Sequence, residues 1–95
     1  MGYVLSPLAR KDLEGIWAYS RERWGVDQAE RYLRDIQRGV ESAAAHPRRG
    51  RACDDISPGY FKLAVGSHLL FYRQAGLDID VVRILHQRMD FDRHL

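Results

Sequence analysis

The residues best able to do chemistry stand near the end of the chain: Tyr72, Arg73, Arg83, His86 and Arg88. An imidazole that titrates near neutral pH can take the proton of a ribose 2′-hydroxyl, and guanidinium groups can stabilise the charge that develops on phosphate. The set therefore has the composition that RNA cleavage requires. The competing reading is structural: Tyr72 packs in a sheet, His86 caps a strand end and Arg83 pairs with Asp80 or Asp90. With 4 His and thirteen Arg in 95 residues, accidental clustering weighs toward the structural reading.

Other chemistries are poorly served. His46, Cys53, His68 and His86 are metal-ligand types, but their spacing has none of the paired-ligand pattern of zinc sites. Gly25, Gly39, Gly50, Gly59, Gly66 and Gly76 each stand singly at a turn or within a helix, so no glycine-rich loop is available to cradle a phosphate. Nucleotide hydrolysis is not expected on that ground, and neither is a cofactor.

The elements that must position these side chains come from two kinds of pattern. Tyr3-Val4-Leu5 is a short apolar strand, and Ser6-Pro7 then sets an N-cap and a proline at the first helical position. Ala9, Leu13, Ile16, Trp17 and Trp24 recur on one side at helical spacing until Gly25 closes the helix. Asp27-Gln28-Ala29-Glu30 has the form of a capping box for a second helix. Its apolar stripe runs through Ala29, Tyr32, Leu33, Ile36, Val40, Ala43 and Ala44, its outer face carries Glu30-Arg34 and Arg31-Asp35, and Pro47 stops it.

Beyond the helices, residues 46–59 form a long connection with three breakers and the densest positive patch, Arg48-Arg49-Gly50-Arg51, beside Asp54-Asp55. Three strands follow, over residues 60–65, 68–73 and 79–85, joined by turns at Gly66-Ser67 and Gln74-Ala75-Gly76. Alternation puts His68, Leu70 and Tyr72 on one face and Leu69, Phe71 and Arg73 on the other. In the last strand Ile79, Val81, Arg83 and Leu85 oppose Asp80, Val82, Ile84 and His86. The expected architecture is α+β: an N-terminal strand, an antiparallel helical hairpin, then a three-stranded antiparallel meander completing one sheet.

The totals fit a single domain over residues 1–95, with 45% apolar content sufficient for one core. Thirteen Arg against two Lys favour the planar cation that suits carboxylates and phosphates, although a net charge of +2 shows that acids nearly balance them. A single cysteine allows no internal disulfide, and no stretch has the form of a signal peptide or a membrane span. A cytoplasmic location is expected.

Taken together, Tyr3-Val4-Leu5-Ser6, Ala9, Asp12-Leu13, Ile16, Trp24-Gly25, Gln28-Ala29, Tyr32, Pro47, Gly50-Arg51, the run Ser67 to Arg73 and the run Arg83 to Asp90 resemble the ParE branch of the RelE/ParE toxins of type II toxin-antitoxin modules. The resemblance covers essentially the whole chain, in order. It implies the same α+β fold, with helices on one side of the sheet. In that superfamily the RelE branch cuts mRNA on the ribosome, whereas ParE proteins block DNA gyrase and are held by a ParD antitoxin of ribbon-helix-helix type.

The ending Phe91-Asp92-Arg93-His94-Leu95 lacks the terminal tyrosine of the ribosome-dependent relatives, which favours inhibition by binding. On that reading Arg83, His86, Arg88 and Arg93 form the target-facing end. Were the chain an RNase instead, Arg83, His86, Arg88 and Tyr72 would carry the reaction. Antitoxin contacts are expected at Trp17, Tyr19, Trp24, Leu69 and Phe71, which offer apolar surface, and at Arg48, Arg49 and Arg51, which would meet acidic residues. The implied partners are thus a ParD-like antitoxin and DNA gyrase, in a hetero-oligomer, with no membrane and no sequence-specific nucleic-acid contact.

Overall fold

The computed structural model describes residues 2–89 and Leu95. Its elements run β1 (Tyr3–Leu5), α1 (Pro7–Trp24), α2 (Val26–Ala45), a 3-10 turn (Pro47–Arg49), β2 (Arg51–Ala52), β3 (Tyr60–Val65), β4 (His68–Ala75) and β5 (Asp78–His86). The five strands form one sheet in the order β1-β5-β4-β3-β2, with β1 parallel to β5 and every other pair antiparallel. The meander expected from the turns is present. The residues expected to form only a loop also contribute β2, a two-residue edge strand paired to β3.

Ser6 starts α1 as expected: its Oγ accepts from Ala9 N at 2.9 Å, and Pro7 follows at the first helical position. The inward stripe consists of Ala9, Ile16 and Ser20, with Leu13 partly buried. Trp24 departs from it, being 51% exposed. Gly25, at φ 91°, both closes α1 and caps α2, which begins at Val26 without a side-chain cap. The capping box at Asp27 is thus not used, because the helix has already begun one residue earlier. On the outer face Glu30 pairs with Arg34 as expected, while Asp35 pairs with Arg38 and not Arg31.

The helical hairpin covers one face of the sheet. Ile36, Val40, Ala43 and Ala44 from α2 and Ala9 and Ile16 from α1 pack on Leu70, Tyr72, Ile79, Val81 and Ile84. Each large aliphatic chain buried there contributes about 1.5–3 kcal/mol. At Gly39 the helix comes so close that an added Cβ would overlap the Val65 side chain. A smaller cluster of Cys53, Phe71 and Leu85, edged by Ile56, Tyr60, Leu69 and Leu95, lies on the opposite face.

One irregularity in β5 decides where its side chains point. Phe71 pairs with Arg83 but Tyr72 pairs with Val81, so Val82 is an extra residue, a β-bulge. Strict alternation would place Ile84 opposite Ile79 and Val81; the bulge resets it, and all three enter the same core. Ser6 secures the bulge, its Oγ donating to Val82 O at 2.6 Å and its N–H to Val81 O at 3.0 Å.

Candidate functional site

β1 stops at Leu5 while β5 continues to His86, which leaves the second half of β5 without a neighbouring strand on that side. The helix α1 crosses there, and Asp12 occupies the vacated edge. Its carboxylate accepts from Ile84 N at 3.0 Å and from Arg83 Nε and a terminal guanidinium nitrogen, each at 2.8 Å. Side-chain exposures of 14% and 13% make this a shielded, bidentate pair. The carboxylate hydrogen bond, above all, raises the Arg83 pKa further. Arg83 is therefore tied to α1, not to Asp80, whose partner is Arg73 at 3.4 Å.

Beyond this pair the hairpin and the end of the sheet diverge into a groove of about 490 Å³. From α1 come Tyr19 and Trp24, edge to face with ring centroids 6.2 Å apart. From α2 comes Tyr32, from the start of β4 His68, and from the end of β5 His86, with Met89 beyond it. The His68 and His86 rings meet edge to face at 5.3 Å.

Tyr32 organises the inner wall. Its hydroxyl lies 2.5 Å from His68 Nδ1 and accepts from Ser67 N at 3.1 Å, which binds the β3–β4 turn to the hairpin. Gly66 occupies that turn at φ 57°, and a Cβ there would stand 2.6 Å from the Tyr32 ring, so glycine is required twice over. Burial pushes the His68 pKa below its ordinary value, the neighbouring His86 lowers it further, and Asp12 opposes both. His68 is accordingly neutral at pH 7. His86 Nδ1 accepts the Arg88 backbone N–H at 3.2 Å.

The structure separates the residues nominated for RNA cleavage. Tyr72 is completely buried; its hydroxyl donates to Pro47 O at 2.8 Å and accepts from Gly50 N at 3.0 Å, and its ring stacks on Phe61. Burial raises its pKa, partly offset by the Gly50 hydrogen bond. It anchors the 3-10 turn and is corrected from candidate acid-base group to core residue. Arg83 is held by Asp12, which leaves His86 and the exposed Arg88 as neighbours at the groove mouth.

The surface expected to receive a partner is also divided. Tyr19 and Trp24 line the groove, and Trp17 is half-buried outside it. Arg48, Arg49 and Arg51 lie beside β2 at the far edge of the sheet, where Arg49 donates to Ser42 Oγ at 2.7 Å. Leu69 is partly buried at the rim of the second cluster, and Phe71 is fully buried within it, so Phe71 is corrected: it offers no surface. Arg93 lies outside the described residues, as does Asp90. Of the metal-ligand types, His68 and His86 converge while Cys53 sits on the opposite face of the sheet.

Asp12 and Tyr32 were not singled out in the sequence as site residues, yet they build the groove. Tyr32 carried a readable signal, because a tyrosine on an inward apolar stripe must find a partner for its hydroxyl. For Asp12 the signal was weaker: an acid on the helix that immediately follows a strand too short to flank its partner.

A helical hairpin laid over one face of a five-stranded mixed sheet, with a groove where the two part, defines a small α+β domain. The family profile described as "ParE toxin of type II toxin-antitoxin system, parDE" matches residues 3–91. Toxin ParE1 of Mycobacterium tuberculosis is 63% identical over 94 residues, covering 98% of this chain and 96% of that protein. Toxin ParE1 of Caulobacter vibrioides is 44% identical over 93 residues with the same coverage, and Toxin ParE of Escherichia coli is 34% identical over 89 residues, covering 93% of this chain and 86% of that protein. The fold matches a chain of the "Chromosomal ParDE TA system from P. aeruginosa" with a TM-score of 0.78, at 22% identity, over 90% of this chain and 95% of that one. The chain belongs to the ParE toxin family of type II toxin-antitoxin systems.

Proposed function

We propose that this toxin acts in the cytoplasm by binding DNA gyrase, without making or breaking covalent bonds, and is neutralised by a ParD-like antitoxin that occupies the groove between the hairpin and the end of the sheet. One observation carries the preference for binding over cleavage: of the four side chains that an RNase reading needs, Tyr72 is buried in a structural hydrogen-bond pair and Arg83 is clamped to Asp12. A base and its cations must converge on one phosphate, and the engagement of Tyr72 and Arg83 elsewhere speaks against that. The groove supports the second part, since its volume lies in the ordinary range for binding sites and it exposes Tyr19 and Trp24, the aromatic types that dominate binding energy at interfaces.

Two assays run side by side test the reading. The purified chain is added to gyrase in a supercoiling assay and to a translating extract in which message integrity is followed. Loss of supercoiling with intact message is the expected result. Ribosome-dependent cleavage that disappears in His86→Ala would overturn it and establish the RelE-type activity.

A further inference from the structure

The groove described above has polar features that its apolar lining does not explain. Two imidazoles stand side by side in its wall, and each has its Nδ1 engaged from within the protein. A backbone N–H can only donate, so the Arg88 amide fixes His86 Nδ1 as an acceptor and leaves the ring proton of the neutral form on Nε2. For His68 the 2.5 Å separation from Tyr32 suits a hydroxyl donor, since the other acceptors within reach of that hydroxyl, Val65 O and Ser67 Oγ, both stand at 3.4 Å. With Tyr32 as the donor, His68 Nδ1 also accepts, and the proton of its neutral ring is then on Nε2.

We propose that His68 and His86 form a paired N–H donor site for a carboxylate, and that the groove receives a partner segment in which a large apolar side chain is flanked by Asp or Glu. The inference deepens the antitoxin reading above, on which it rests for the identity of the partner, by naming the chemistry the groove selects. Charge complementarity points the same way. Lys11 lines the groove and Arg88 is exposed beside His86. Among the described residues the one lining acid is Asp12, whose oxygens are engaged by Arg83 and Ile84 N–H and so neutralised. Tyr19, Trp24 and Met89 supply the apolar walls, which suit a side chain and exclude the hydration shell of a phosphate.

The same tautomer argument disfavours a two-histidine metal site. Binding a metal through Nε2 of His86 while its Nδ1 accepts an amide proton would require an imidazolate.

The test uses the full chain and three small probes: 3-phenylpropionate, its uncharged analogue 3-phenylpropanol, and inorganic phosphate, each titrated at neutral pH by amide NMR. Long-range 1H–15N spectra of the imidazoles report the tautomers directly. The expected results are the Nε2–H form for both histidines, and binding of the carboxylate about tenfold tighter than the alcohol, the size of a hydrogen bond to a charged group. That preference should vanish in a His68→Gln, His86→Gln double variant whose fold is verified by circular dichroism. An Nδ1–H tautomer at either ring, equal affinity for carboxylate and alcohol, or phosphate outcompeting the carboxylate would overturn the proposal. Should the variant fail to fold, the tautomers and the probe ranking of the wild-type chain still decide. A chain that prefers the carboxylate but leaves gyrase untouched would overturn the target reading and leave this one standing.

Discussion

Substitution of Asp12 by Ala should be among the most damaging single changes in this protein. The carboxylate is shared between the Arg83 guanidinium and the Ile84 N–H, so its removal takes a bidentate acceptor from a shielded cation and the acceptor from a strand-edge amide together. Deleting one partner of a buried ion pair costs about 3–5 kcal/mol, and an unpaired buried N–H about 1–3 kcal/mol. The adjacent groove admits water and relieves part of both costs, which brings the expected loss to about 3–4 kcal/mol. For a domain of this size that is a fall in Tm of roughly 12–30 °C.

Urea and thermal melts of three variants separate the two contributions. Asp12→Asn keeps an oxygen for Ile84 N–H and should be about 1–2 kcal/mol milder than Asp12→Ala. Asp12→Leu with Arg83→Met removes both charges and should recover much of the loss. The sign of the pH dependence is also fixed. The Arg83 pKa is raised in the fold, so its contribution is complete below the unfolded value and fades only as pH climbs through the folded one, both far above neutrality. The difference between wild type and Arg83→Met should thus be flat from about pH 6 to 9. An Asp12→Ala loss below about 1 kcal/mol, or a double variant that merely sums the single losses, would refute the account of this edge.

Tyr72→Phe should cost about 1–3 kcal/mol by chemical denaturation, because Gly50 N–H loses its buried acceptor, while growth inhibition per folded molecule stays unchanged. Gly39→Ala should destabilise by about 1–3 kcal/mol through overlap with Val65, whereas Gly15→Ala, which meets nothing within 4 Å in mid-helix, should stabilise by about 0.5–1 kcal/mol; paired melts would expose either error. His68 has a lowered pKa, so its fold is favoured by the neutral ring: that stability is intact above the unfolded value near 6.5 and is lost as pH falls through the folded one. Urea midpoints should decline on acidification, and less steeply in His68→Gln.

The elements were largely legible in the sequence, the site less so. Ser6-Pro7, Gly25 and the turn at Gly66-Ser67 are local signals, and the structure follows each of them. β2 was not legible because two residues carry no period; only the register with Phe61 and Lys62 makes them a strand. The Val82 bulge was equally invisible, since it depends on Ser6 arriving at the carbonyl from 76 residues away. That insertion changes which face Ile84 takes, and the partner of Arg83 comes from α1, from an acid 71 residues away in the chain. Side chains on opposite faces of a strand look adjacent in a string of letters, so Tyr72, Arg83 and His86 read as a cluster until the third dimension separated them.

The order in which the sheet closes has a consequence for synthesis in the cell. Among the described residues β5 is the last strand made but lies between β1 and β4, so the first strand waits for the last before it has a neighbouring strand. At roughly 5–20 residues per second a chain this long emerges over about 5–20 s, and throughout that interval its two halves cannot be zipped together. A product that ends before β5 would lack both Arg83 and the wall that carries His86, and would leave β1 without its partner strand.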